Sequence, residues 1–123
     1  MSYEEFNQFC DSLPVTTYVQ QWGGAHVWKV GGKVFAIGGW DKANKNNPAF
    51  TFKVTELDFN CLKDEQGFRP APYLASRGML WIQQYDCSGE RLDDLRFYIT
   101  ESHRLVSLEL TKKLQKELNL NQD

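Results

Sequence analysis

The 123-residue sequence contains little cysteine and histidine, and it lacks any long apolar run. Its three cysteines, Cys10, Cys61 and Cys87, are widely spaced and form no C-x-x-C pair, which argues against a disulfide framework and a zinc site. The acidic start of the chain has no basic region of the kind that opens a signal peptide. No stretch approaches the roughly 18 apolar residues of a membrane span. These absences predict a soluble cytoplasmic protein with reduced thiols, no bound metal and no cofactor.

The sequence also lacks a recognisable catalytic motif. His26 and His103 are its two histidines. His26 alternates with Trp28 on the apolar face of a predicted hairpin, which is typical of a core or sheet-end histidine. His103 lies in a predicted helix, where we expect it to face solvent. Three glycine pairs fit turns or bulges, and none belongs to a phosphate-binding loop. The sequence therefore predicts a protein that is not an enzyme.

The composition, with 41% hydrophobic and 14% aromatic residues, is that of one globular domain over residues 1–123. A capping box at Ser2 and Glu5 begins a first helix, which Pro14 ends. β-branched and aromatic runs predict five strands, over 16–21, 25–30, 33–37, 49–54 and 79–85. Further helices are predicted from Thr55 towards Gly67, from Leu92 to about Leu108, and over 111–118. This order predicts an α+β fold, an antiparallel meander with helices on one face.

The hairpin around Gly31-Gly32 gives the strongest strand signal. A two-residue turn predicts the pairs Val30 with Lys33 and Trp28 with Phe35. We therefore expect one face to carry His26, Trp28, Val30, Phe35 and Ile37, and the other to carry Val27, Lys29, Val34 and Ala36. The polar run 41–48 predicts a second, longer hairpin loop. Residues 67–72 contain two prolines and are predicted to be irregular.

Charge is unevenly distributed although the net charge is only −2. Residues 22–55 hold five lysines against Asp41, a net charge of +4, whereas the chain on either side is acidic. Lysines on projecting hairpins could contact phosphates. They are also common at sheet edges, where they prevent aggregation. The basic segment has no arginine, which favours backbone contact over sequence-specific contact with bases.

Several segments, taken in order, resemble the MmcQ/YjbR family of small bacterial proteins. They are Phe9-Cys-Asp-Ser-Leu-Pro14, Val27-Trp-Lys-Val-Gly-Gly-Lys-Val-Phe-Ala36, Phe52-Lys53, Arg69-Pro-Ala-Pro-Tyr-Leu74, Gly78-Met-Leu-Trp81 and the long helix over 95–106. The resemblance covers almost the whole chain. It implies a CyaY-like, or frataxin-like, α+β architecture and DNA binding through two hairpins that act as a double wing.

Carried over by position, the resemblance gives a set of candidate DNA-binding cations. They are Lys29, Lys33, Lys42, Lys45, Lys53, Arg69 and Arg77. The loop before the tryptophan-containing strand lacks the histidine and asparagine that many family members have there, which leaves Tyr73 and Arg77 as its polar contacts. The frataxin-like architecture also raises an iron-binding alternative on Glu4, Glu5 and Asp11, but three carboxylates are too few to favour it.

Two functions follow from the sequence. The first is weak, backbone-mediated DNA binding by the hairpin lysines. The alternative is a protein-interaction or small-ligand-binding module that uses the 69–81 loop, with Tyr73, Arg77 and Trp81, and nearby aromatic residues. Neither function involves a membrane.

Overall fold

A computed structural model describes residues 1–39, 48–72, 74–85 and 92–122 of the chain. Within these ranges the chain forms six strands, four α-helices and one short 3-10 helix. In chain order they are α1 (Tyr3–Ser12), β1 (Thr16–Gln21), β2 (Ala25–Val30), β3 (Lys33–Gly38), β4 (Phe50–Lys53), α2 (Glu56–Leu62), β5 (Phe68–Pro70), the 3-10 helix (Ala75–Arg77), β6 (Trp81–Gln84), α3 (Leu92–Ser107) and α4 (Lys112–Glu117).

The strands form one antiparallel sheet in the order β1-β2-β3-β4-β6-β5. The meander predicted from the sequence is confirmed, as is the α+β class. Strand β5 corrects one prediction, because residues 68–70 pair with β6 although the sequence predicted irregular chain. Its position at the sheet edge explains how it tolerates Pro70, since an edge strand can do without one backbone donor.

The helix starts are set by local side-chain hydrogen bonds. The Ser2 hydroxyl accepts from the Glu5 backbone N–H, and a Glu5 carboxylate oxygen accepts from the Ser2 N–H, which completes the predicted capping box. Thr55 caps α2 and Thr111 caps α4 through their hydroxyls in the same way. These bonds satisfy backbone donors that a helix start otherwise leaves unpaired.

The main core lies between one face of the sheet, called here the helix face, and the four α-helices of the described chain. Phe6 of α1, Leu62 of α2 and Ile99 of α3 are buried against sheet residues such as Phe50 and Phe52. The opposite face, called here the second face, carries a smaller apolar cluster. It consists of Ala25, Val27 and Ile37, with Val19 and Val34 packed against them.

A β-bulge in β3 changes the predicted register. Val30 pairs with Lys33 as predicted, but Trp28 pairs with Ala36 and not with Phe35. The extra residue is Phe35, which stays in the main core together with Ala36. Ile37 therefore lies on the second face beside Val27, whereas the sequence predicted the helix face. The reason is that one inserted residue reverses the alternation of every residue beyond it.

The predicted loop over 41–48 lies outside the described residues apart from Pro48, and so do Lys42, Lys45, Tyr73 and Cys87. Among the helices in the described ranges, none combines the length and the apolar character that crossing a membrane requires.

Candidate functional site

Strands β3 and β4 separate at one end, and a serine from α3 fills the gap. Their pairing runs only from Ala36 with Phe52 to Gly38 with Phe50. Beyond it, the Lys53 backbone N–H donates to the Ser102 hydroxyl oxygen over 2.8 Å, and that hydroxyl donates to the Phe35 carbonyl over 2.6 Å. Ser102 therefore replaces a direct backbone hydrogen bond between the two strands, which remain apart at this point. Through this gap, Val106 of α3, which packs on the helix face, can line a groove together with second-face residues.

A groove of about 560 Å³ opens beside this gap. It lies between β3 and the segment around the 3-10 helix, and its walls are mostly apolar. The apolar lining residues are Trp22, Val34, Ile37, Leu74, Met79, Trp81 and Val106. The charged lining residues are Lys33, Lys53, Arg77 and Glu109. A volume of this size and a largely apolar lining are typical of small-molecule sites.

The charges at the groove are not balanced. The Lys53 ammonium lies 2.9 Å from a Glu109 carboxylate oxygen, so these two groups compensate each other. Within the described part of the chain, Lys33 and Arg77 make no ion pair, and both are exposed. Counted over the described residues, the groove thus has two positive charges without an ion-pair partner beside its apolar walls.

Trp22 is a groove residue that sequence reasoning missed. It lies in the β1–β2 turn with a left-handed backbone, φ 53°, followed by Gly23 and Gly24, which also have positive φ. Its side chain is 51% exposed although it lines the groove. A left-handed conformation is costly for a large side chain, and such strain is often found at functional sites. The feature of the sequence that could have identified Trp22 is its position directly before a glycine pair.

Trp81, predicted from the sequence as a candidate partner or ligand residue, lines the groove. Its side chain is only 5% exposed. Its indole Nε1 is buried and finds no hydrogen-bond acceptor among the described residues. Buried donors normally have a partner, so this one marks a place where an acceptor would be favourable.

The other candidate cations lie on the same side of the sheet but outside the groove. Lys29 occupies a second-face position in β2, opposite Val34. Arg69 donates from Nε and Nη2 to the Gln83 side-chain oxygen, and its guanidinium lies 5.2 Å from the centre of the Tyr85 ring. Lys29, Lys53 and Arg69 therefore lie at second-face positions, Lys33 and Arg77 line the groove with Lys53, and Arg69 is held by Gln83.

His26 lies on the helix face beside α1, in a hydrogen-bond network whose donors can be assigned. The Trp28 Nε1–H can only donate, and it donates to Asn7 Oδ1 over 2.8 Å. The Asn7 amide nitrogen, 3.3 Å from His26 Nδ1, is then a donor, so Nδ1 accepts. The Tyr18 hydroxyl donates to the same nitrogen over 2.7 Å. The Nδ1 atom of His26 thus accepts two hydrogen bonds, one from α1 and one from β1.

His103 corrects another prediction, because it is buried and does not face solvent. Its Nε2 lies 2.7 Å from the Pro14 carbonyl, to which it donates, and its ring meets Phe35 edge-on at 5.1 Å. It therefore ties α3 to the chain between α1 and β1. Burial lowers the pKa of His103, and the hydrogen bond to Pro14 opposes that effect only in part.

We expect His103 to make stability depend on pH. Because its pKa in the folded state is lowered, the unfolded chain binds the proton first, and stability should fall as pH drops below about 6.5. Urea unfolding at about pH 7.5 and about pH 5.5 measures the loss. The variant His103→Gln, whose amide can still donate to Pro14, should lose less stability than the wild type. Equal losses in both proteins would contradict the assignment.

Two cysteines fall in the described ranges. Cys10 is buried in the core, and burial strongly raises the pKa of its thiol, which stays protonated near neutral pH. Cys61 is exposed on α2. In the described chain, no three histidine, cysteine, aspartate or glutamate side chains cluster in a way that could hold a metal ion.

Comparison with known proteins gives one family and one fold. The YjbR family model matches residues 11–105. The crystal structure of Deinococcus radiodurans protein DR2400, with the family-model domain DUF419, is similar with a TM-score of 0.80 and 20% sequence identity, over 97% of this chain and 88% of that one. No curated protein matches the chain. The matched residues include all of the described groove lining except Val106 and Glu109, and the chain belongs to the YjbR family.

Proposed function

We propose that this protein is a non-enzymatic binding module that holds a small ligand in the groove of the second face. The observation that carries the proposal is the groove itself, about 560 Å³ in volume and lined by apolar residues with Lys33 and Arg77 uncompensated among them. Small-molecule sites combine an apolar lining with a few polar groups that orient the ligand.

The groove residues support binding over catalysis. Among its described lining residues there is neither a histidine nor a cysteine, the side chains that most often transfer protons or act as nucleophiles. His26 is engaged with Asn7 and Tyr18, and His103 with Pro14. Glu109, the one carboxylate among the lining residues that the structure describes, is paired with Lys53.

A second candidate function is backbone-mediated DNA binding. It is favoured by one observation, that each of the five described cations predicted from the sequence either occupies a second-face position or lines the groove. Two of them are less available for phosphates, because Lys53 pairs with Glu109 and Arg69 is held by Gln83. The groove therefore supports the small-ligand function more strongly.

Filling the groove tests the proposed function. Val34→Trp places a large side chain in the groove, and Leu57→Trp adds the same side chain at a position on α2 that is 74% exposed. A thermal-shift panel of anionic, neutral and cationic small molecules is applied to both variants and the wild type. At least one class should raise Tm by several degrees at about a hundredfold excess over Kd, in the wild type and Leu57→Trp but not in Val34→Trp.

Labelled duplex and single-stranded DNA in the same panel separate the two candidates. Phosphate binding should weaken steeply with salt, and it should persist when the groove is filled. Circular dichroism checks that Val34→Trp is folded, and Leu74→Trp replaces it if it is not. A panel in which no small molecule distinguishes wild type from the filled variant would overturn the small-ligand function.

A further inference from the structure

We propose that the ligand of the groove is a flat aromatic molecule that carries a carboxylate or phosphate group. This inference rests on the proposed function and deepens it, because it assigns the chemical class of the ligand. Three features of the described groove residues lead to it, namely their net positive charge, the indole rings of Trp22 and Trp81, and the Trp81 N–H, which has no acceptor among them.

The charge of the groove selects an anion. Among the described lining residues, Lys33, Lys53 and Arg77 stand against one carboxylate, Glu109, which leaves these residues with a net charge of +2. Since the Lys53–Glu109 pair is closed at 2.9 Å, the available charges are Lys33 and Arg77. The Arg77 guanidinium is planar and matches the two oxygens of a carboxylate or phosphate. A cationic ligand would be repelled, and a neutral one would gain nothing from these two residues.

The walls of the groove favour a ligand with a flat apolar ring system. Two indole rings, Trp22 and Trp81, line it together with the flexible side chain of Met79. Aromatic rings pair favourably in offset or edge-on arrangements, and methionine sulfur also contacts rings well. The left-handed backbone of Trp22 holds a half-exposed indole at the groove, where a ring of the ligand would cover it.

The third feature is the donor of Trp81. Its Nε1–H is buried beside the groove and has no acceptor among the described residues. An oxygen on the ligand, reached after a small movement of the indole, would satisfy this donor. An anionic oxygen is a stronger acceptor than a neutral one, which agrees with the charge of the groove.

Indole N–H signals in a nitrogen-edited NMR spectrum test the inference. 1-Naphthoate is the probe, and 1-naphthalenemethanol and 1-naphthylmethylamine carry the same ring with no charge and with a positive charge. Naphthoate should shift the signals of Trp22 and Trp81, identified with Trp22→Phe and Trp81→Phe. The signal of Trp28 is an internal control, because its N–H is bound to Asn7 away from the groove. The alcohol and the amine should bind at least about tenfold more weakly.

Variants that remove positive charge provide a second test of the inference. Lys33→Gln combined with Arg77→Gln should weaken naphthoate binding about tenfold or more, whereas Lys112→Gln with Lys113→Gln on α4 removes the same charge and should change nothing. Comparing naphthyl phosphate with naphthoate shows whether the site prefers a phosphate or a carboxylate. Comparing decanoate with naphthoate shows whether it prefers an aromatic ring or an alkyl chain.

The outcomes separate this inference from the function on which it rests. Equal binding of the alcohol or the amine, or tighter binding of decanoate, would overturn the aromatic-anion class and leave a small-ligand function in place. Absence of naphthoate shifts at millimolar concentration would overturn the inference as well. Failure of the whole small-molecule panel on the wild type would overturn both.

Discussion

Replacing Phe6 by alanine is expected to lower the free energy of unfolding by about 3–5 kcal/mol, the usual loss for a fully buried phenylalanine. Phe6 is 0% exposed, and its ring centre lies 4.9 Å from that of Phe50 in the sheet. It also lies against Gly38, where an added Cβ would come within 2.8 Å of the Phe6 ring. Because the sheet residue at this point is a glycine, α1 packs closely against the sheet. Removing the Phe6 ring would therefore leave a cavity between them.

Phe97→Ala is the matched control for this prediction. Phe97 lies on α3 with 58% of its surface exposed, so the same substitution there should cost less than about 1 kcal/mol. Urea unfolding followed by circular dichroism measures both variants. Similar losses at the two positions would mean that α1 is not packed on the sheet as described.

Ser102→Ala should be the second large effect, a loss of about 2–4 kcal/mol. The serine hydroxyl accepts from the Lys53 backbone N–H and donates to the Phe35 carbonyl, and Ser102 is completely buried. Its removal leaves one donor and one acceptor of the backbone without partners in the interior. Such groups cost more than an ordinary hydrogen bond gains, because folding has stripped them of water.

The control here is Thr100→Ala, two residues earlier on the same helix. Thr100 is exposed, and its hydroxyl donates to the Arg96 carbonyl within the helix. Its loss should change stability by no more than about 0.5 kcal/mol. Hydrogen exchange at the Lys53 amide adds a local readout, since this amide should lose protection in Ser102→Ala. Unchanged protection would contradict the bridging role.

The parts of the fold that depend on neighbouring residues could be predicted from the sequence. Ser2 and Glu5 are three residues apart, and their capping box predicted α1 correctly. The turn at Gly31-Gly32 predicted the pair of Val30 with Lys33. Both signals are local, since a cap or a tight turn is decided within four or five residues.

The bulge and the groove could not be predicted in that way. Phe35, Ala36 and Ile37 are all apolar, so alternation of polarity gave no sign of where the extra residue lies. Trp22 and Arg77 are more than fifty positions apart in the sequence and line the same groove only in the folded chain. Arg77 and Trp81 were identified as candidates from the family resemblance, whereas their partners in the groove depend on tertiary packing.

The bulge at Phe35 decides which residues of β3 line the groove. A substitution at Val34 or Ile37 alters the groove alone, but a hairpin of the same length without the bulge would pair Trp28 with Phe35, sending Ile37 into the core and Ala36 to the second face. The adjoining turn opposes such a slip, because Gly31 packs closely against Leu110. The composition of the groove wall therefore depends on the position of one extra backbone residue as well as on the side chains themselves.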